Sequence, residues 1–520
     1  MVDISNKPKE SRLNNSIRNV LFGLMKYSVS LILPFILRTV MIKRYGAEYA
    51  GLGSLFSSIL QVLNLSELGF SNAVVFSLYK PIAEEDIEKV QALMQLYRRI
   101  YKAVGISIAV LGIIICPFVK VFIGGYYPEN INVYVLFILF LVNTSFSYIF
   151  FGYRSAILVA SQRSDIDSRI QIVSSLICYF LELLVLIFTR NYYLYVLCMI
   201  IGTAVNNGLL LCVTNGLYDF KVEARALSKR EKNEIYQNVG ALFGHQLDSI
   251  IINSIDSIVI SMFLGLHMLT TYNNYYYIMN ALMSVLILIA NSFTASIGNS
   301  IALRTVEVNY DNFISFEYLI GNLNIICSAM LIAFYQEFIS LWMGKDYLLD
   351  LDIVILIAFM FYIRQTRRAV LVFKDANGMW KSDALKPYIS SIANLLLNIT
   401  LVKIIGLKGI LISTIVCMMC IEFPWEGYVL YSEYFKRPIR EYYGKQVAFL
   451  VKGVVVSISS YSLLSHFWCN TWGSFAIKLL LGGMITVLLT GVIGMIDEEN
   501  RKIVSIIMDR IKHYGRKNNV

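Results

Sequence analysis

Charge is scarce in this sequence. Only 15% of its 520 residues are Asp, Glu, Lys or Arg, and 57% are hydrophobic. A soluble domain carries about 25% charge and about 45–50% apolar residues. Polar surface this thin excludes an ordinary water-soluble enzyme, a disordered chain and a fibrous one. Histidine is rarer still. The four (245, 267, 466 and 513) are scattered, and no His-x-x-x-His occurs. No Gly-x-x-x-x-Gly-Lys-Ser/Thr occurs either, which argues against a primary pump built on a phosphate-binding loop. The eight cysteines lie almost all in apolar stretches and read as buried thiols without a disulfide framework. Cys417-x-x-Cys420 has a redox or metal spacing, but no second pair accompanies it. Residues 1–16 are polar and no small-residue cleavage site follows. The first helix is therefore expected to stay uncleaved, with no secretory signal.

What is present in abundance is apolar stretches. A membrane-spanning helix needs about 20 mostly apolar residues, and 14 stretches qualify: 17–42, 51–78, 100–121, 131–158, 170–188, 193–215, 239–264, 269–297, 313–335, 351–373, 388–405, 407–430, 446–465 and 473–496. All are expected to be helical, because lipid offers backbone groups no partner. Residues 78–100 are expected on the membrane surface or in water. With the N-terminus inside, the cytoplasmic segments hold 34 Lys and Arg and the outer segments 7. That asymmetry is the positive-inside pattern and places both termini in the cytoplasm. It also supplies a membrane cause for the net charge of +10, so no nucleic-acid partner is expected.

Three spacings suggest an internal repeat. Gly46 and Gly265 are offset by 219, Phe151-Gly-Tyr-Arg154 and Phe361-Tyr-Ile-Arg364 by 210, and Ser174-Ser175 and Ser390-Ser391 by 216. Nearly equal offsets imply two halves of six helices each. The expected fold is an all-α polytopic membrane protein of about 14 transmembrane helices. Its parts are an N-lobe (1–215), a basic cytoplasmic linker (216–238), a C-lobe (239–435), and two further helices with a basic tail (436–520).

Arg38-Thr39-Val40-Met41-Ile42-Lys43-Arg44-Tyr45-Gly46 is followed by Gly51-Leu52, Glu67-Leu68-Gly69 and Ser77-Leu78-Tyr79-Lys80-Pro81. The second half carries Asn253-Ser254-Ile255-Asp256, Phe263-Leu264-Gly265 and Tyr272-Asn273-Asn274-Tyr275-Tyr276. In order and spacing these motifs resemble the polysaccharide-export branch of the multidrug/oligosaccharidyl-lipid/polysaccharide (MOP) exporter superfamily. The similarity covers most of residues 17–435. The resemblance implies two pseudo-symmetric six-helix lobes around a central cavity, two appended helices, and alternating access. It also implies a bacterial inner-membrane flippase for a polyprenyl-diphosphate-linked oligosaccharide. Its partners would be membrane lipid and the polymerase and glycosyltransferases of the same pathway.

Charges inside the spans are functional candidates, because each costs a few kcal/mol at mid-bilayer. Lys26 lies about 13 Å into the first span and Arg38 about 6 Å from its outer end. Pro34, one turn before Arg38, should bend this helix. A guanidinium binds phosphate oxygens through paired hydrogen bonds, so Arg38, Lys26 and Arg364 are candidate diphosphate ligands. The bland alternative for Arg38 is snorkelling to the interface. For Arg364, with Arg367 and Arg368, it is anchoring at the inner leaflet. Tyr272, Asn273, Tyr276 and Asn280 would stack on and hydrogen-bond to sugars, or else form an interfacial aromatic belt. Helical turn places His245, Asp248, Ser249, Asn253 and Asp256 within an arc of about 140°, and Gln61, Asn64, Glu67 and Ser71 within about 120°. Glu67, Asp248 and Asp256 are the candidate sites for a coupling H+ or Na+, unless these stripes only bond helix to helix. Lys452 and Lys478, outside the repeat, read as structural or snorkelling.

No cofactor or metal is expected, and no enzyme activity. Three alternatives stay open: a drug/cation antiporter, a peptidoglycan-precursor flippase of the same fold, and a membrane-embedded polymerase or glycosyltransferase. Only Arg38 stands as a clear cavity arginine in the first lobe, which weakens the second. The outer gaps are short, which weakens the third.

Overall fold

The computed structural model describes residues 12–64, 70–218, 220, 227–379, 382–467, 469–497 and 500–501. Side chains are described for the same residues except 12–17, 70–72, 230, 232, 234 and 236–253. All regular structure among them is helical. By internal packing the chain falls into two compact units, 1–270 and 271–520. The first holds α1 (Arg12–Tyr45), α2 (Ala47–Leu63), α3 (Phe70–Ala83), α4 (Ile87–Ile115), α5 (Val133–Ile149), α6 (Ser155–Ala160), α7 (Ser164–Phe188), α8 (Tyr192–Leu217) and the first arm of α9 (Lys229–Ser292). The second holds the rest of α9, α10 (Thr294–Leu303), α11 (Val306–Trp342), α12 (Leu351–Thr366), α13 (Arg368–Ala376), α14 (Lys386–Ile405), α15 (Leu407–Cys417), α16 (Phe423–Tyr428), α17 (Ile439–Leu464) and α18 (Trp472–Gly494).

Ten described helices are long and apolar enough to cross a membrane, or eleven if α5 and the 152–160 segment, bent by 44°, form one span. The chain is a multi-pass membrane protein. Every one of the 14 expected stretches falls on helix, 65–69 lying outside the described residues. The lower number has structural causes. The stretch at 351–373 is broken into shorter helices, that at 51–78 is described only on either side of 65–69, and two expected passes share the single run of α9. Residues 87–100 are helical and continue without a break into the next span as α4, a helix of 29 residues. Pro34 lies inside α1 without ending it.

Local chemistry sets the helix starts. Orphan N–H groups in a first turn are satisfied by a preceding side-chain oxygen. Asp86 accepts from Lys89 N–H, Asn132 from Tyr134 and Val135, and Asn191 from Tyr193 and Leu194. Thr471 and Ser474 close a capping box on α18.

The repeat is visible in the backbone and in the hydrogen bonds. Gly46 has φ 108° and ψ 168°, and Gly265 has φ 86° and ψ 172°. Both corners lie where an L side chain is strained. Ser174 donates to Asn206 Oδ1 at 3.1 Å, and Ser390 donates to Glu422 Oε1 at 2.5 Å. The two bonds span the same 32 residues. Cys178 Sγ reaches Glu182 Oε1 at 3.2 Å and the Cys198 carbonyl at 3.6 Å. The positions 216 later are Asn394, Asn398 and Thr414. Asn398 donates to Asn394 Oδ1, and Asn394 to Thr414 Oγ1, both at 3.1 Å. One polar ladder thus joins α7 to α8 in the first unit and α14 to α15 in the second.

The appended helices are bound to unit 2 by polar contacts at several depths. Gln446 of α17 donates to Glu317 of α11 at 2.5 Å, and Lys452 to Asn322 at 2.7 Å. Lys478 of α18 pairs with the buried Glu337. Lys452 and Lys478 are structural cations.

Candidate functional site

In unit 1 the corner at Gly46 brings α1, α2 and the first arm of α9 together. A Cβ on Gly51 would sit 2.6 Å from the Leu266 carbonyl oxygen, so α2 and α9 touch backbone to side chain. Arg38 is half-buried on α1 and donates from Nη2 to the Thr270 carbonyl at 3.0 Å. Thr270 in turn donates to the Ala47 carbonyl at 2.6 Å. The Arg38 guanidinium is thus anchored to the Gly46 corner through Thr270. Lys26, three turns earlier, lies within electrostatic reach of Asp167 on α7. Asp167 is buried and also accepts from Ser155 at 2.7 Å and Gln171 at 2.8 Å.

The acids of this unit divide. Asp256 is 2% exposed. Glu67 and the side chains of His245, Asp248, Ser249 and Asn253 lie outside the described residues. Gln61 accepts from Ser254 at 3.0 Å, so at this point the α2 polar arc meets α9 in an interhelical hydrogen bond.

In unit 2 the expected aromatic cluster separates by helix face. Tyr272, Asn274 and Tyr275 are buried, Asn273 and Tyr276 half-buried, and Asn280 exposed. Tyr272 and Tyr276 hold their ring centroids 5.8 Å apart. Arg364 Nη1 donates to the Tyr276 hydroxyl at 3.3 Å. Arg364, Tyr276 and Tyr272 thus form one line. Asn280 stands a turn further on at the surface.

Sequence reasoning missed the most heavily charged part of this unit. Arg367 is 8% exposed and does not reach for the membrane surface. Its Nε and Nη2 donate to Glu426 at 2.8 and 2.6 Å, and its Nη1 pairs with Glu422. Lys386 pairs with Glu426 and, at 3.4 Å, with Asp383, which also pairs with Lys374. Three cations face three carboxylates, all buried. Both glutamates sit beside π-helical turns, Met418–Glu422 and Val429–Phe435. Such turns rotate successive side chains from the α-helical register. Glu182 of α7 was missed as well. It is 2% exposed, and among the described residues its hydrogen-bond partner is the Cys178 thiol. Glu182, Glu422 and Glu426 all lie inside the expected spans, where an acid is itself the signal.

No group of three or more metal-ligating side chains occurs among the described residues. No family model and no curated protein sequence matches the chain. Solved structures do. The chain is similar to the lipid II flippase MurJ in an inward closed conformation, at 16% identity and a TM-score of 0.65, over 91% of this chain and 98% of that one. The chain shares its fold with this flippase and with solved transporters of the MOP superfamily. An inward-facing multidrug resistance MATE family transporter of that superfamily is similar at 12% identity and a TM-score of 0.57, over 79% of this chain and 97% of that one. A MOP superfamily transporter from Pyrococcus furiosus, described with a binding pocket of reverse polarity, is similar at 13% identity and 0.55, over 82% and 96%. The similarity to MurJ extends over about a tenth more of this chain than either of the other two.

Proposed function

We propose that this protein moves a polyprenyl-diphosphate-linked oligosaccharide from the cytoplasmic to the outer leaflet by alternating access, with both termini in the cytoplasm. The observation that carries the reading is Arg38. A guanidinium half-buried in a membrane helix can bind diphosphate oxygens through paired hydrogen bonds that survive desolvation. Lys26 in the same unit, and Arg364 with Tyr272 and Tyr276 in the other, add cations and sugar-stacking rings. The near full-length similarity to a lipid II flippase supports a lipid-linked cargo. The test is a strain lacking the gene. Lipid-linked glycan should accumulate on the cytoplasmic leaflet, and mass spectrometry would identify it. A normal lipid-linked pool in that strain would refute the reading.

A drug/cation antiporter is the second reading, and Glu182 favours it. A buried acid whose described partner is a thiol rather than a cation suits a transported or coupling cation. The two readings meet in one assay. Vesicles with an imposed proton gradient either flip labelled glycolipid or expel an organic cation.

A further inference from the structure

Unit 1 contains a second site apart from Arg38. α3, α4 and the break between α5 and α6 enclose a cavity of about 430 Å³, lined by Phe76, Tyr79, Tyr97, Tyr101, Gly152 and Ser155 among others. Ligand pockets run from about 300 to 1,000 Å³. The cavity exists because α5 stops. Phe151 adopts φ 61°, and the Gly152 N–H turns back to the Phe150 carbonyl at 2.9 Å instead of continuing the helix. Non-helical backbone at membrane depth is tolerated where it is buried in protein or lines a cavity.

The lining is aromatic and polar together. Tyr97 and Tyr101 pack edge to face with centroids 4.5 Å apart, and Phe76 and Tyr79 at 6.3 Å. Phe76 is 68% and Tyr79 46% exposed, so these rings form the open wall. The Ser155 hydroxyl is oriented by its bond to Asp167, the carboxylate that Lys26 attracts. Four cations follow the lining rings in sequence: Lys80 after Tyr79, Arg98 and Arg99 after Tyr97, and Lys102 after Tyr101. All four are exposed. Lys80 pairs only with the exposed Glu84 at 3.7 Å, and no described acid pairs with the other three. Flat rings and a fixed hydroxyl suit a pyranose. Cations on the same two helices suit an anion covalently joined to it.

We infer that this cavity binds the first sugar of the diphosphate-linked glycan on the cytoplasmic side, before the diphosphate reaches Arg38. The inference rests on the flippase reading. The orientation comes from the same basic residues, which lie on the side the charge asymmetry marks as cytoplasmic. An anionic phospholipid headgroup would match the cations but would gain nothing from the aromatic wall.

The experiment measures binding to the purified full chain in nanodiscs, by native mass spectrometry and competition. The probes are farnesyl diphosphate, farnesyl diphosphate bearing one N-acetylhexosamine, and phosphatidylglycerol. The parent should bind the sugar-bearing probe about tenfold more tightly than farnesyl diphosphate, the factor expected for an anchored ring contact. Phe76→Ala and Tyr79→Ala, at exposed positions outside the core, should abolish that preference and leave farnesyl diphosphate binding intact. Tyr79→Phe should keep most of it. A preference that survives both alanine substitutions overturns the sugar site and leaves the flippase reading standing. So does competition by phosphatidylglycerol that matches the sugar-bearing probe. A parent that binds neither prenyl probe overturns both.

Discussion

Neutralising Glu426 should damage unit 2 far more than a typical substitution. Glu426 is 1% exposed and is shared by Arg367, through two hydrogen bonds, and Lys386. Glu426→Gln leaves three buried cations against two carboxylates. Breaking a buried ion pair by removing one partner costs about 3–5 kcal/mol. For a unit of 250 residues, each kcal/mol shifts Tm by about 2–4 °C, so the fall should be about 6–20 °C. The assay is thermal unfolding of purified protein, read by fluorescence in one detergent. The double variant Arg367→Met with Glu426→Leu removes one charge of each sign. It leaves Glu422 bonded to Ser390 and Lys386 paired with Asp383. Replacing a buried pair by apolar groups is often neutral, so the double variant should lose less than Glu426→Gln alone. A Glu426→Gln protein within 2 °C of the parent (~0.5–1 kcal/mol at the same slope) would refute the reasoning. So would a double variant worse than both single changes combined.

Arg38→Ala should abolish glycolipid flipping at normal membrane abundance, while Arg38→Lys, with its charge but not its fork, should rescue only in part. Full flipping by Arg38→Ala would show that Arg38 only anchors the helix. In vesicles with a proton gradient, Glu182→Gln and Asp256→Asn should be tested separately. The one that carries the coupling proton loses gradient dependence while retaining downhill movement, and unchanged dependence in both removes Glu182 and Asp256 from coupling. For orientation, a cysteine at the exposed Tyr126 should react with an impermeant reagent from outside, and one at the exposed Lys229 should not. Labelling at 229 in intact cells would invert the topology.

The helices were legible because lipid forces a one-dimensional signal, a long apolar run, onto each. The repeat was legible through Gly46, Gly265 and the serine pairs, where backbone strain and interhelical bonding restrict residue choice. What escaped was pairing between helices. Lys386 and Glu426 are 40 residues apart and Arg367 and Glu426 are 59, and no periodicity on one helix reveals a partner on another. Arg364, a candidate diphosphate ligand, shared with Arg367 and Arg368 the bland alternative of an inner-leaflet anchor, yet one turn separates a tyrosine-bonded arginine from the centre of an ionic network. Residues 78–100 read as a surface segment because Pro81 and Glu84-Glu85-Asp86 open it and an amphipathic turn follows, and from Ile87 on they belong to the helix that continues as the next span.

The network also constrains how the protein is made. Arg367, Lys374, Asp383 and Lys386 leave the ribosome before Glu422 and Glu426. Until those glutamates arrive, three cations share one carboxylate. A lone Arg or Lys costs about 2.5–3.5 kcal/mol on insertion at a helix centre and less toward a helix end, where Lys386 lies. Lys386 therefore waits 40 residues for Glu426, which is about 2–8 s at about 5–20 residues per second. During that interval α13 and α14 need a wet or protein-lined shelter. A nascent chain stalled before Glu422 should be extracted from membranes by alkaline carbonate more readily than one stalled beyond Phe435.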